Sequence, residues 1–236
     1  MNADPGYFGP DSMMWKVNKE ITVLFGGARA LLMHAAHPLI AAGARQTSFY
    51  QRDPWKRLIR TLSLQNSVTF GTIEEANDSA TRINKLHEVI NGDDEVTGGY
   101  YDALDHEQLL WVHACLQLSS IYFYEKTVKK LSDEEKDKYH IENMLSAKLV
   151  LIDIENMPKT HEDLKKWFKQ KWVRFGPDGK IRGSCGGKSS GEGKPKCLPA
   201  KKAYAMGKKK RKTSAARKRR KDPNADRRGK AKNVKT

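Results

Sequence analysis

The residues best equipped for chemistry in this chain are histidines. His113 lies in an apolar stretch, flanked by Trp111, Val112 and Ala114. An imidazole in such a place is either a core group hydrogen-bonded to a backbone carbonyl or a ligand to a metal. Residue type and neighbours alone favour the core group. Arg82 and His87 sit five apart on one helical stretch, about 140° around its axis, so they can border one pocket without being direct neighbours. Arg82 keeps its charge at any accessible pH. Its structural alternative is an ion pair with Asp78, four residues earlier. His34 and His37 share a helical face, but Pro38 follows directly and no carboxylate accompanies them. A packing or turn-capping role therefore leads for His37.

Several chemistries are excluded by spacing. His87-Glu88, His106-Glu107 and His161-Glu162 each lack a second histidine four places after the first, so no zinc-protease helix is present. No Glu-x-x-His pair exists, which removes a di-iron carboxylate bundle. Gly183-Ser-Cys-Gly-Gly lacks the flanking strand and helix of a phosphate cradle. Cys115 falls in an apolar helical run and reads as a small buried hydrophobe. Cys185 and Cys197 are half of a zinc site, a disulfide, or two separate thiols; all three readings stay open.

The elements that must position these residues are helices. Asp11 or Ser12 caps a helix over residues 12–25, which Gly26-Gly27 interrupts or closes. Residues 28–44 continue small and apolar around Pro38. Pro54 opens another helix. Thr72 with Glu75 is a capping box for a helix over 72–90, and Ser132 with Glu135 is a second. Asp105 caps the helix that carries His113. Pro158 and Thr160 open a final helix through Trp172. Asn91-Gly92 starts a polar loop that runs to Tyr101, and no segment alternates as a strand would. The expected fold class is all-α.

Charge divides the chain. The whole carries 44 Lys+Arg against 28 Asp+Glu, yet from Lys165 to Thr236 the count is 27 against 4. The remainder is acidic, 17 against 24, and it holds all seven histidines. We expect a helical module over residues 1–172 and a basic Gly/Lys/Arg-rich tail over 173–236, largely disordered by itself. Residues 203–221 would turn helical only against a polyanion. Such a tail suits nucleic acid first, through counterion release, and an anionic membrane surface second. Few aromatics accompany it, so base stacking is not expected. No apolar run of 18 residues and no secretory signal occur, so an intracellular, cytoplasmic location without a transmembrane segment is expected.

A set of short motifs adds a family resemblance. They are Asp11-Ser-Met-Met-Trp15 with Glu20, Ala36-His37-Pro38 followed by Ala41-Ala-Gly43, and Asp53-Pro-Trp55. Phe70-Gly-Thr72 leading to Arg82 and His87 comes next, then Trp111-Val-His113-Ala114, the Ser132 to Tyr139 stretch, and Met157-Pro-Lys-Thr160. In this order and spacing, about residues 7–172 resemble the mpaB / rubber oxygenase catalytic-domain family, which includes latex clearing protein. The basic tail is similar to Lys/Arg- and Gly-rich C-terminal segments of phage-like and marine microbial proteins.

The family resemblance implies an all-α fold that holds haem b and uses dioxygen to cleave a carbon–carbon double bond of an apolar, isoprenoid-like substrate. It implies His113 as the axial ligand to the iron and His37 near the haem edge. Arg82 would pair with a propionate or polarise bound oxygen, and His87 would be a distal group or sixth ligand. Family members continue with further helices where this chain carries its basic tail, so the module is expected to be truncated at its C-terminal end. The rival expectation is a non-catalytic binding protein whose tail docks on nucleic acid.

Overall fold

Helix starts are fixed locally, by side chains that accept the first backbone N–H groups. In the computed structural model, which describes residues 6–47, 54–94, 99–170, 172–184, 195–224, 232 and 234, Ser12 Oγ accepts from Trp15 N at 3.1 Å and begins α1 (Met13–Asn18). Reciprocal capping boxes begin α5 (Ile73–Glu88) at Thr72/Glu75 and α7 (Asp133–Leu149) at Ser132/Glu135. Asp105 begins α6 (His106–Thr127), and Thr160 begins α8 (His161–Lys169). Between α1 and α5 run α2 (Phe25–Ala35), α3 (Pro38–Thr47) and α4 (Pro54–Phe70). The chain is predominantly helical, as its periodicity predicts.

The break expected at Gly26-Gly27 falls earlier. α1 ends at Asn18, a 3-10 turn covers Ile21–Leu24, and α2 runs straight through both glycines. The reason is packing. A Cβ on Gly26 would sit 3.2 Å from the backbone carbon and oxygen of Ser119 in α6, so the missing side chain allows two helices to close on each other.

The region read as a loop before Tyr101 contains a hairpin. β1 (Asn91–Asp94) pairs antiparallel with β2 (Gly99–Asp102), Asn91 opposite Asp102. Tyr101 is what holds it. Its ring is buried with Leu39, Ala42 and Ile90 and lies against Gly43 and Gly92.

Two apolar clusters pack against α6. Met13, Met14 and Val17 of α1 pack with Ile121 and Tyr124 of α6, Leu131 and Tyr139. Toward the start of the helix Leu109, Leu110 and Ala114 meet Ala147, Met157 and Leu164. The two clusters share one side of α6 and succeed each other along it, while Gln108, Cys115 and Ser119 are buried on the other side.

In the basic segment, expected to be largely disordered by itself, the described residues form strands and helices. α8 stops at Lys169, and Trp172 opens a strand rather than extending the helix. β3 (Trp172–Phe175) is central to an antiparallel sheet of order β4-β3-β5, with β4 (Ile181–Ser184) and β5 (Lys196–Pro199). α9 (Ala200–Ala205) and α10 (Lys208–Lys221) cover it. Phe175, Leu198, Ala203 and Ala215 form a small separate core with Val173, Ile181 and Met206 against it. Average composition hides a core built from so few residues. Cys197, on β5, is disulfide-bonded, one of the three readings its sequence left open. Cys185 lies outside the described residues. Among those residues no single helix is long and apolar enough to cross a membrane, although the bent pair Ile21–Ala35 and Leu39–Arg45 passes that length and composition test together.

Candidate active site

α6 sets the geometry. Asp105 Oδ1 accepts from Glu107 N at 3.1 Å and Gln108 N at 3.3 Å, which fixes where the helix starts and so which way each later residue points. His113 and Gln117, four apart, share one face. Gln117 Nε2 lies 3.0 Å from Nδ1 of His140 on α7, whose Nε2 lies 2.9 Å from the Pro158 carbonyl oxygen. A carbonyl only accepts, so His140 carries its proton on Nε2 and accepts from Gln117 at Nδ1. Burial holds its pKa below the ordinary value, and both nitrogens are satisfied. His140 is a positioning group in a closed hydrogen-bond chain.

His113 differs. The residue is 8% exposed, and its Nε2 has no hydrogen-bond partner among the described residues. Burial, with the His140 imidazole as a smaller contribution, pushes its pKa down to about 4. It is therefore neutral at pH 7, with one ring nitrogen left over. An unsatisfied buried polar atom costs about 1–3 kcal/mol, so a native fold keeps one chiefly where it is used.

The other candidates separate into two places. His37, at the α2–α3 junction, packs its ring 5.3 Å from that of Trp111. Trp111 in turn stacks on Phe168 of α8 at 4.4 Å. His37 Nδ1 is buried without a partner, and burial lowers its pKa against the opposing pull of Asp105. His34 is structural, since its Nε2 lies 3.2 Å from the Val112 carbonyl oxygen and must donate to it. His87, near the end of α5, is half-buried, with an unpartnered Nδ1 and a pKa lowered by burial.

Arg82 is exposed and turns elsewhere. Its Nη2 donates to Ser79 Oγ at 3.1 Å, and Ser79 is 3.1 Å from Ser67 Oγ on α4. Arg82 lines a cleft of about 480 Å³ with Asn66, Phe70, Gly71, Glu75 and Asp78; none of His37, His87 or His113 belongs to it. Arg82 and His87, which could border one pocket by their spacing, do not line this cleft together. On α5 the azimuth of Arg82 follows the α4 contact, not the interior reached by His113.

A second cleft, of about 530 Å³, is apolar. Phe25, Ala28, Leu32, Met33 and Ala36 of the α2 region line it with Phe123 of α6. Arg29 is at its wall, held by a 2.8 Å hydrogen bond to Ser119 Oγ and lying 4.9 Å over the Tyr122 ring. Trp111 Nε1 donates to the Met33 carbonyl at 3.2 Å, tying this cleft to the turn of α6 that bears His113. Among the described residues no group of three or more His, Cys, Asp or Glu converges to hold a metal ion.

Sequence reading passed over His140 and Gln117. The four-residue step from His113 to Gln117 was available as a signal. The step from Gln117 to His140 joins two helices and has no local trace.

Residues 15–200 match the family model described as the catalytic domain of ER-bound oxygenase mpaB/B'/Rubber oxygenase. The match extends past Trp172 through β5, into the segment read as tail. No curated protein and no solved structure gives a match.

Proposed function

Because the chain belongs to the mpaB/B'/rubber oxygenase catalytic-domain family, we propose that it is an oxygenase carrying haem b, with His113 as axial ligand to the iron, and that it uses dioxygen to cleave a carbon–carbon double bond of an apolar, isoprenoid-like substrate. The observation that carries this reading is the His113 imidazole: buried, neutral at pH 7 and unpartnered at Nε2. Those are the properties an axial ligand needs. A prosthetic group that brings its own iron ligands needs one histidine from the protein, and the described residues offer no larger cluster.

Haem, when bound, supplies the iron centre at which dioxygen is activated. The chain's own residues do the rest. Gln117 and His140 close a hydrogen-bond chain beside His113, which limits how that helix face can repack. The apolar cleft between α2 and α6 is of a size that suits a small apolar molecule. Its lining offers an apolar surface to an isoprenoid-like chain, and Ser119 holds the Arg29 guanidinium at the wall. His87, kept neutral by burial, can donate or accept a hydrogen bond toward a polar atom of substrate or oxygen. His37, packed on Trp111, would border the bound group. Arg82 contributes to the α4–α5 cleft instead.

The test is the absorption spectrum of the protein produced with a haem precursor, beside His113→Ala and His140→Gln. A Soret band lost or shifted in His113→Ala and kept in His140→Gln is the expected result. Absence of the band in the wild type, even after haem is added, refutes the haem assignment.

A further inference from the structure

α10 contains ten Lys/Arg among its fourteen residues, and no acid. Like charges at four-residue spacing repel, so such a helix is unfavourable alone. Here a docked side holds it. Ser214 and Ala215 are buried. Arg211 Nε donates to the Gly179 carbonyl at 2.7 Å, and its Nη1 donates to the carbonyls of Ala203, at 3.0 Å, and Met206. Lys218 Nζ pairs with Asp222 at 2.8 Å and donates to the Lys232 carbonyl, also at 2.8 Å; Asp222 is 1% exposed. Gly179, at φ +76°, makes the turn that offers its carbonyl to Arg211, and a Cβ there would collide with the Lys208 oxygen. Arg211 and Lys218 are therefore consumed by the fold.

The opposite side is different. Lys209, Lys212 and Arg220 are exposed and, with exposed Ala216, follow one helical stripe at steps of three and four. At 1.5 Å per residue the stripe is about 16 Å long. Lys210 is exposed beside it.

We propose that the module formed by β3–β5, α9 and α10 is a double-stranded nucleic-acid-binding element, which lays the Lys209–Lys212–Arg220 stripe along the phosphate backbone without reading sequence. A duplex presents a charge about every 1.7 Å of axis, and a rigid helix gains counterion release without first paying to fold. Membrane binding fits less well. An interfacial helix needs a free apolar face, whereas the apolar side of α10 faces its own sheet and the outward stripe offers only Ala216. Single-strand binding needs aromatic platforms, and the exposed stripe has none.

The experiment measures binding of the whole chain to a labelled 20-base-pair DNA across a salt series, against the triple variant Lys209→Gln/Lys212→Gln/Arg220→Gln. Circular dichroism checks that the variant keeps its helix. The wild type is expected to bind duplexes of unrelated sequence alike. The variant is expected to reduce the slope of log K against log salt by about 2.7, from three phosphate contacts at about 0.9 each. An unchanged slope, no duplex binding at low salt, or binding confined to phosphatidylserine vesicles overturns the proposal. Haem content does not enter any of these readouts.

Discussion

Phe175→Ala tests whether the basic segment is a folded unit. Phe175 is completely buried on the central strand of the small sheet, where, among the described residues, Leu198, Ala203 and Ala215 form its buried apolar cluster. Truncating a buried phenylalanine costs about 3–5 kcal/mol. A unit of about 50 residues has of the order of 3–7 kcal/mol in total, so this one change removes most of it. The assay is limited trypsin digestion, because α10 is dense in Lys and Arg and its backbone, held helical by docking, must open before a protease can bind it extended. Where opening is fast relative to cleavage, the cleavage rate follows the open population. A loss of about 4 kcal/mol then raises cleavage within residues 208–221 about a thousandfold, while sites in α6 and α7 stay protected. Equal cleavage of wild type and variant in α10 would refute the folded unit and, with it, the preformed cationic stripe.

Other outcomes follow from the helical part. Burial holds His37, His87, His106, His113, His140 and His161 below the ordinary value of 6.5, with His113 at about 4. The unfolded chain therefore binds more protons than the folded one below pH 6.5. The stability these groups contribute is present above about pH 6.5 and is lost as pH falls through their folded values, for His113 between 6.5 and about 4. In the haem-free protein His113→Leu should lessen the fall in urea-unfolding free energy between pH 7 and pH 5 by about 2 kcal/mol; an unchanged pH dependence would show that His113 is not kept neutral. Leu151, exposed just after α7, has φ +65°, a conformation costly for a branched side chain. Leu151→Gly should stabilise the protein or leave it unchanged, by up to about 1 kcal/mol in thermal unfolding. A clear destabilisation would place the side chain in a contact that its exposure denies.

Local chemistry was legible in the sequence. Thr72 with Glu75, Ser132 with Glu135, Asp105 and Thr160 each act within a few residues of themselves, so the helix starts they specify appear in the structure. The ordered motifs likewise pointed to the oxygenase family that the family model matches. Helix ends were less legible, because Gly26 serves a contact with Ser119, ninety-three residues later, and Trp172 joins a sheet whose other strands lie downstream. The hairpin at Tyr101 was missed for the same reason: the partners of its ring are on α3.

Residue types and periodicity determined a helical chain with His113 inside it and a basic end. Tertiary structure decided which side chains meet. It set His140 and Gln117 beside His113, turned Arg82 into another cleft, and left the His113 Nε2 without a partner among the described residues. It also assigned the cations of α10 to opposite tasks, Arg211 and Lys218 to the fold and Lys209, Lys212 and Arg220 to solvent. A sequence fixes a side chain's angle around its own helix. The facing surface is contributed by residues far along the chain, and only their packing determines whether that angle points at a core, a cleft or water.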